Sequence, residues 1–73
     1  MTAFERRLKI INFMMFHDEP VLRSEIMSLI HLSQTGTLAV LKELRETGFI
    51  KYSGVSGYSS YVLTDKAKEI FKF

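Results

Sequence analysis

Only one stretch of this 73-residue chain gathers side chains that could hold a metal or move a proton, the triplet His17, Asp18 and Glu19. Three consecutive residues at a helix end cannot all aim at one ion without a sharp turn, and no second cluster joins them. His31 stands alone, and there is no cysteine. No nucleophile–base–acid set, paired carboxylates or glycine-rich phosphate loop can be assembled, so no catalysis, metal or cofactor is expected. The remaining chemistry is hydrogen bonding and apolar contact, and it concentrates between residues 33 and 42. Ser33, Gln34 and Thr35 carry donors and acceptors, Leu38 and Ala39 carry methyl groups, and Lys42 carries a cation. Such groups read the edges of base pairs, and a helix N-terminus receives phosphate.

Those residues need a helix to present them. Ser33 is a natural N-cap, and Thr37, Val40, Leu41 and Leu44 recur at helical spacing up to Gly48, which lets the chain leave in a left-handed conformation. The spacing predicts a helix over Gln34–Thr47, with Thr35, Gly36, Ala39, Lys42, Glu43 and Glu46 outside and Leu38 at the margin. A short helix packed on one face and polar at its N-terminal end suits insertion into the major groove of DNA.

Two helices precede it. Thr2–His17 carries Phe4, Leu8, Ile11 and Met15 on one stripe, widened by Ile10, Phe13, Met14 and Phe16. Six of the seven residues from Ile10 to Phe16 are apolar, more than one buried face requires, which points to an identical partner subunit, the alternative being a small domain that wraps the whole helix. Pro20 closes that segment. Leu22–His31 follows, with Ile26, Leu29 and Ile30 inward and Ser24 as its expected cap, because Leu22 occupies the usual capping-box position before Glu25. Val21–Arg23 has an alternative as a short strand on the later hairpin. Beyond Gly48, FIKYSG and YSSYVL read as two strands joined through SGVSGYS, with Tyr52, Tyr58 and Tyr61 set to pair across them. Thr64 or Asp65 then caps a last helix with Ala67, Ile70 and Phe71 inward. The expected fold is mainly α with a small β-hairpin (α+β), a single winged helix-turn-helix domain over residues 1–73 in the order helix-helix-helix-hairpin-helix.

Composition is consistent with this. The hydrophobic fraction of 47% is high for a small core without disulfide staples, which again favours an oligomer. A net charge of +2 permits nucleic-acid binding. The longest apolar run, Phe13–Phe16, is far too short to span a bilayer, and no signal peptide is visible. The expectation is a cytoplasmic, nucleoid-associated protein that does not engage membranes.

The segment LSQTGTLAVLKELRETGFI resembles the recognition-helix region of the arsenic-responsive repressor family, with its LSQ opening and LK..LRE.G pattern. The closing YVLTDKAKEIF resembles the wing exit of the multiple-antibiotic-resistance repressors, where a Y-x-L-T strand end leads into a terminal helix. The resemblance as a whole spans about residues 5 to 71 and implies a winged-helix transcriptional regulator. The chain departs from the first family in lacking the cysteines that serve there as metal ligands, and from both in the uncharged tip Gly54-Val55-Ser56-Gly57.

The candidate DNA contacts are Arg23, Ser33, Gln34, Thr35, Gly36, Leu38, Ala39, Lys42, Lys51, Ser56 and Tyr58. Several have a plainer alternative: capping for Ser33, Gln34 and Thr35, packing on the second helix for Leu38, and solvation for the serines and Arg23, while Arg45, more lateral, is accounted for equally well by an acidic partner. The candidate dimer seam is Phe4, Ile10, Ile11, Met14, Met15, Phe71 and Phe73. The function expected is a homodimeric, sequence-specific binder of duplex DNA acting as a repressor. The alternative is a winged helix that binds another protein and has no specific DNA contact.

Overall fold

Hydroxyl side chains open three of the four helices in the computed structural model, which describes residues 2–17, 19–54 and 60–71. Helix α1, Ala3–Met15, starts at Thr2, whose Oγ1 accepts the Glu5 N–H at 3.1 Å while the Glu5 carboxylate accepts the Thr2 N–H at 3.3 Å. That is a full capping box, satisfying two otherwise orphaned donors. Strand β1, Val21–Leu22, runs directly into helix α2, Arg23–Ile30. Ser24 does not cap α2. Leu22 takes that position, and since it has no side-chain acceptor, Glu25 supplies the only polar closure by accepting the Leu22 N–H at 3.1 Å.

Three residues, His31–Ser33, separate α2 from helix α3, Gln34–Glu46. His31 turns the chain in the left-handed region at φ 55°, its N–H bonded to the Met27 carbonyl at 2.9 Å. Ser33 caps α3 by accepting the Gly36 N–H at 3.2 Å. At the other end Gly48, at φ 84°, donates to the Arg45 carbonyl and Phe49 donates to the Leu44 carbonyl, both at 3.0 Å. This pair of bonds closes the helix as a Schellman motif, which needs a residue without a Cβ penalty at Gly48.

Strands β2, Ile50–Tyr52, and β3, Ser60–Leu63, complete an antiparallel sheet of order β1-β3-β2. Val21 faces Tyr61, Ile50 faces Leu63 and Tyr52 faces Tyr61 across the ladders. The alternation turns Val21, Ile50, Tyr61 and Leu63 inward and leaves Lys51 exposed. The strand alternative for the residues after Pro20 therefore holds for Val21 and Leu22, while Arg23 is helical.

Helix α4, Asp65–Ile70, is capped by Thr64, whose Oγ1 accepts the Ala67 N–H at 3.2 Å. The same hydroxyl donates to the Gly48 carbonyl, and Lys66 Nζ donates to the Thr47 carbonyl at 2.7 Å. The start of α4 thus supplies donors, one of them cationic, to the carbonyls left open where α3 ends.

The core is drawn from every element: Ile10, Ile11 and Met14 of α1, Val21, Ile26 and Ile30, Leu41 and Leu44 of α3, then Ile50, Tyr61, Leu63 and Ala67. Two expectations are corrected here. Ile10, Ile11 and Met14 lie inside the protomer and cannot form a seam between subunits. Ile70, expected inward, is 57% exposed, because the short α4 buries itself through Ala67 and sets Phe71 edge-on against Phe49 at 5.5 Å between ring centroids. The arrangement of three helices, hairpin and short terminal helix is a winged helix-turn-helix.

Candidate nucleic-acid interface

Helix α3 turns Thr37, Leu41 and Leu44 into the core, with Val40 half-buried. The opposite side is therefore outward: Gln34, Thr35, Ala39 and Lys42 are exposed, and Leu38 is 37% exposed. Leu38 thus stands at the edge of the surface rather than sealed against α2. Gly36 is half-buried and departs from its expected outward position. A Cβ built there would lie 3.5 Å from Leu32 Cβ and Ser33 Oγ, so it faces the turn that precedes α3. Ser33 is exposed, but its hydroxyl is committed to the cap.

Arg23 is brought beside the start of α3. A shallow concavity is lined by Leu22, Arg23, Ser24 and Met27 from the β1–α2 segment and by Gln34. Burial pushes the Tyr61 hydroxyl above its ordinary value of 10.0, and nearby Tyr52 adds to the shift, against smaller opposing effects from Arg23 and Arg45. Leu22 and Ser24 were not among the expected contacts. Their adjacency to Arg23 in the sequence was the available signal.

The C-terminal half of α3 is charged and internally tied. Lys42 Nζ lies 3.9 Å from Glu46, and Glu43 pairs with Arg7 of α1. Arg45, expected to find an acid, instead places its guanidinium over the Tyr52 ring, 4.7 Å from the centroid. Lys51 is exposed on β2. Tyr52 and Tyr61 pair across the strands as expected, with ring centroids 5.3 Å apart. Ser56 and Tyr58, named as contacts at the wing, lie outside the described residues, as does Phe73 of the proposed seam. Of the remaining seam residues, Met15 and Phe71 are half-buried against the core and Phe4 is 65% exposed.

His17 is engaged by its own loop and by α2. Its Nδ1 lies 2.8 Å from the Glu19 carbonyl, and Nε2 lies 3.7 Å from the Glu25 carboxylate. Asp18 is outside the described residues, and among those described no three His, Asp or Glu side chains converge on a metal position. A larger groove between the end of α1, β3 and α4 carries His17 and Lys68 together with Glu19 and Glu69, so its rim selects neither charge sign. Among the described residues, no helix is long and apolar enough to cross a membrane.

No family model matches the sequence, and no curated protein matches it. Its structure is similar to the crystal structure of a transcriptional regulator from Thermotoga maritima, with a TM-score of 0.78 at 18% identity. The likeness covers 89% of this chain and 46% of that one, so the chain spans about half the length of that regulator. At this identity the likeness establishes a shared fold.

Proposed function

We propose that this chain is a sequence-specific, DNA-binding transcriptional regulator in which α3 enters the major groove. The observation that carries this reading is the outward side of α3, where Gln34, Thr35, Leu38, Ala39 and Lys42 stand free of the core beside Arg23 and Ser24. The shared fold with a protein described as a transcriptional regulator supports it. Lys42 and Lys51 are placed to meet phosphates, and Gln34 and Thr35 to meet base edges. The whole chain, residues 1–73, then works as one intracellular domain on the nucleoid, repressing by occupying promoter DNA.

A homodimer completes the proposal by setting two α3 helices about 34 Å apart on successive major grooves. Its seam must be redrawn from the notion that all of α1 is shared. Phe4 and Leu8, one helical turn apart and both exposed, replace Ile10, Ile11 and Met14. Sedimentation of the wild type against Phe4→Ser tests this, with loss of the dimer expected in the variant.

The direct test of DNA binding is retardation of a duplex pool across a salt series. Affinity should fall steeply as salt rises, because lysine and arginine contacts release counterions. Absence of any retarded duplex, or a flat salt response, rejects the proposal. The exposed Phe4, Phe16 and Ile70 favour a second reading, a winged helix that docks on another protein. Introducing Thr35→Glu with Lys42→Glu separates the two, since lost DNA binding with intact folding supports the regulator and unchanged function supports the docking module.

A further inference from the structure

Two neighbouring residues of α3 sit the wrong way round for a helix selected only for packing. Thr37 is fully buried, and its hydroxyl has no hydrogen-bond partner among the described residues. The next residue, Leu38, is 37% exposed. A hydroxyl inside and a leucine outside break the local rule at one spot, and such breaks cluster where a surface is kept for a ligand. The apolar exposure continues through Ala39 and the methyl of Thr35. Gln34 is the one amide on this side of the helix.

Few cations on the helix itself face this side. Arg7 is paired with Glu43 and Arg45 covers Tyr52, while Arg23, on α2, lines the concavity beside Gln34. Lys42 stands eight residues beyond Gln34, about 12 Å along the axis, with Glu46 beside its ammonium group. Lys42, Glu43 and Glu46 keep the charge of α3 in its C-terminal half, where Lys42 can meet the phosphate backbone, so the uncharged N-terminal half is the part that fits deepest into a groove. Guanine is read in the major groove by a cationic fork on O6 and N7, and the first two turns of α3 hold none. Adenine is read by a glutamine amide on N6 and N7, and thymine by apolar contact with its 5-methyl group.

We infer that the bases beneath α3 are A·T pairs, with Gln34 on an adenine edge and Thr35, Leu38 and Ala39 against thymine methyl groups. This rests on the DNA-binding reading above and adds the class of sequence recognised. The test is selection of bound duplexes from a random pool by the full chain, followed by thymine-to-deoxyuridine replacement in the winners. Expected are A·T-rich half-sites and about a tenfold loss of affinity when the methyl groups under α3 are removed. Leu38→Ala, at a surface position that leaves the core intact, should shrink that loss, and Gln34→Ala should erase discrimination between adenine and 7-deazaadenine. Half-sites rich in G·C, or a deoxyuridine duplex bound as tightly as the thymine one, overturn the inference and leave DNA binding standing. Recovery of no duplex at all overturns the regulator reading and this inference with it.

Discussion

Helices α1 and α3 are each 13 residues long and each begins at a hydroxyl cap, yet they divide their side chains between core and surface in different ways. On α3 the division follows polarity, apart from the inverted pair Thr37 and Leu38 and the small exposed Ala39. On α1 apolar residues occupy both sides: Ile10, Ile11 and Met14 are buried, whereas Phe4 and Leu8 are exposed, and Phe16 at its end is 76% exposed. Counting greasy residues along α1 therefore overstates what a second subunit can cover. Only geometry separates the residues that hold the protomer together from those left for something else.

The sharpest way to break that contrast is to truncate one residue from each class on α1. Ile10→Ala removes a side chain with no exposure and should cost about 2–5 kcal/mol, the transfer loss plus the cavity left behind. Phe4→Ala should leave protomer stability within about 0.5 kcal/mol, as surface changes do. Urea unfolding repeated over a range of protein concentrations and read in the dilute, monomeric limit measures both, because association through Phe4 adds a concentration-dependent share to apparent stability. Equal costs for the two would show that Phe4 is core and that the division drawn along α1 is wrong.

The starts of the two helices give the next effect. Thr2 shares its cap with Glu5, but the equivalent position on α3 is Gly36, so Ser33 caps α3 alone. Ser33→Ala should cost about 1 kcal/mol, the usual loss for a single N-cap hydroxyl. It should also weaken DNA binding beyond that loss of stability, because the first turn of α3 carries Gln34 and Thr35. A variant that melts earlier yet binds DNA as before would detach the cap from the candidate interface.

Much of this architecture is legible in the sequence where local chemistry decides. Ser33, Thr64 and Gly48 announce their helix boundaries because caps and left-handed residues are set by a few neighbouring atoms. The alternation in the two late strands announces the sheet. Long-range pairing leaves weaker marks. Arg45 finds the Tyr52 ring and Arg7 finds Glu43, choices made only when α3 meets the sheet and α1. The inward turn of Ile10 and Met14 and the outward turn of Ile70 are likewise products of packing. At the candidate interface, the exposed positions of α3 could be read from helical periodicity. The neighbourhood of Ser24 and Gln34, and the turn-facing placement of Gly36, required the angle between α2 and α3.

A smaller effect comes from the inverted pair on α3. Thr37→Val keeps the shape of the side chain and removes a buried hydroxyl that has no partner, so stability should rise by about 0.5–1 kcal/mol. Differential scanning calorimetry of the variant checks the sign. A loss of stability would mean that the hydroxyl is satisfied, and Thr37 would cease to mark a position where packing yields to function.

The smallest effect distinguishes the two helix starts by pH. Hydrogen bonds from the Thr2 hydroxyl and then the Thr2 N–H hold the Glu5 carboxyl below its ordinary value of 4.5. A carboxylate whose folded pKa is depressed contributes stability above its unfolded pKa, and that contribution disappears as pH falls through the folded value. The first turn of α1 should therefore loosen as pH falls through the lowered Glu5 value, whereas α3, with no acid in its first turn, should keep its start unchanged. Amide NMR shifts of Glu5 and Gly36 followed from pH 6 to pH 2.5 check this, with the Glu5 amide moving and the Gly36 amide still. Glu5→Gln should abolish the movement, because a neutral amide retains the capping geometry without titrating. Matching titration at Gly36 would mean that the cap on α3 senses a carboxylate brought near it by packing, and the contrast between a charged and an uncharged helix start would fail.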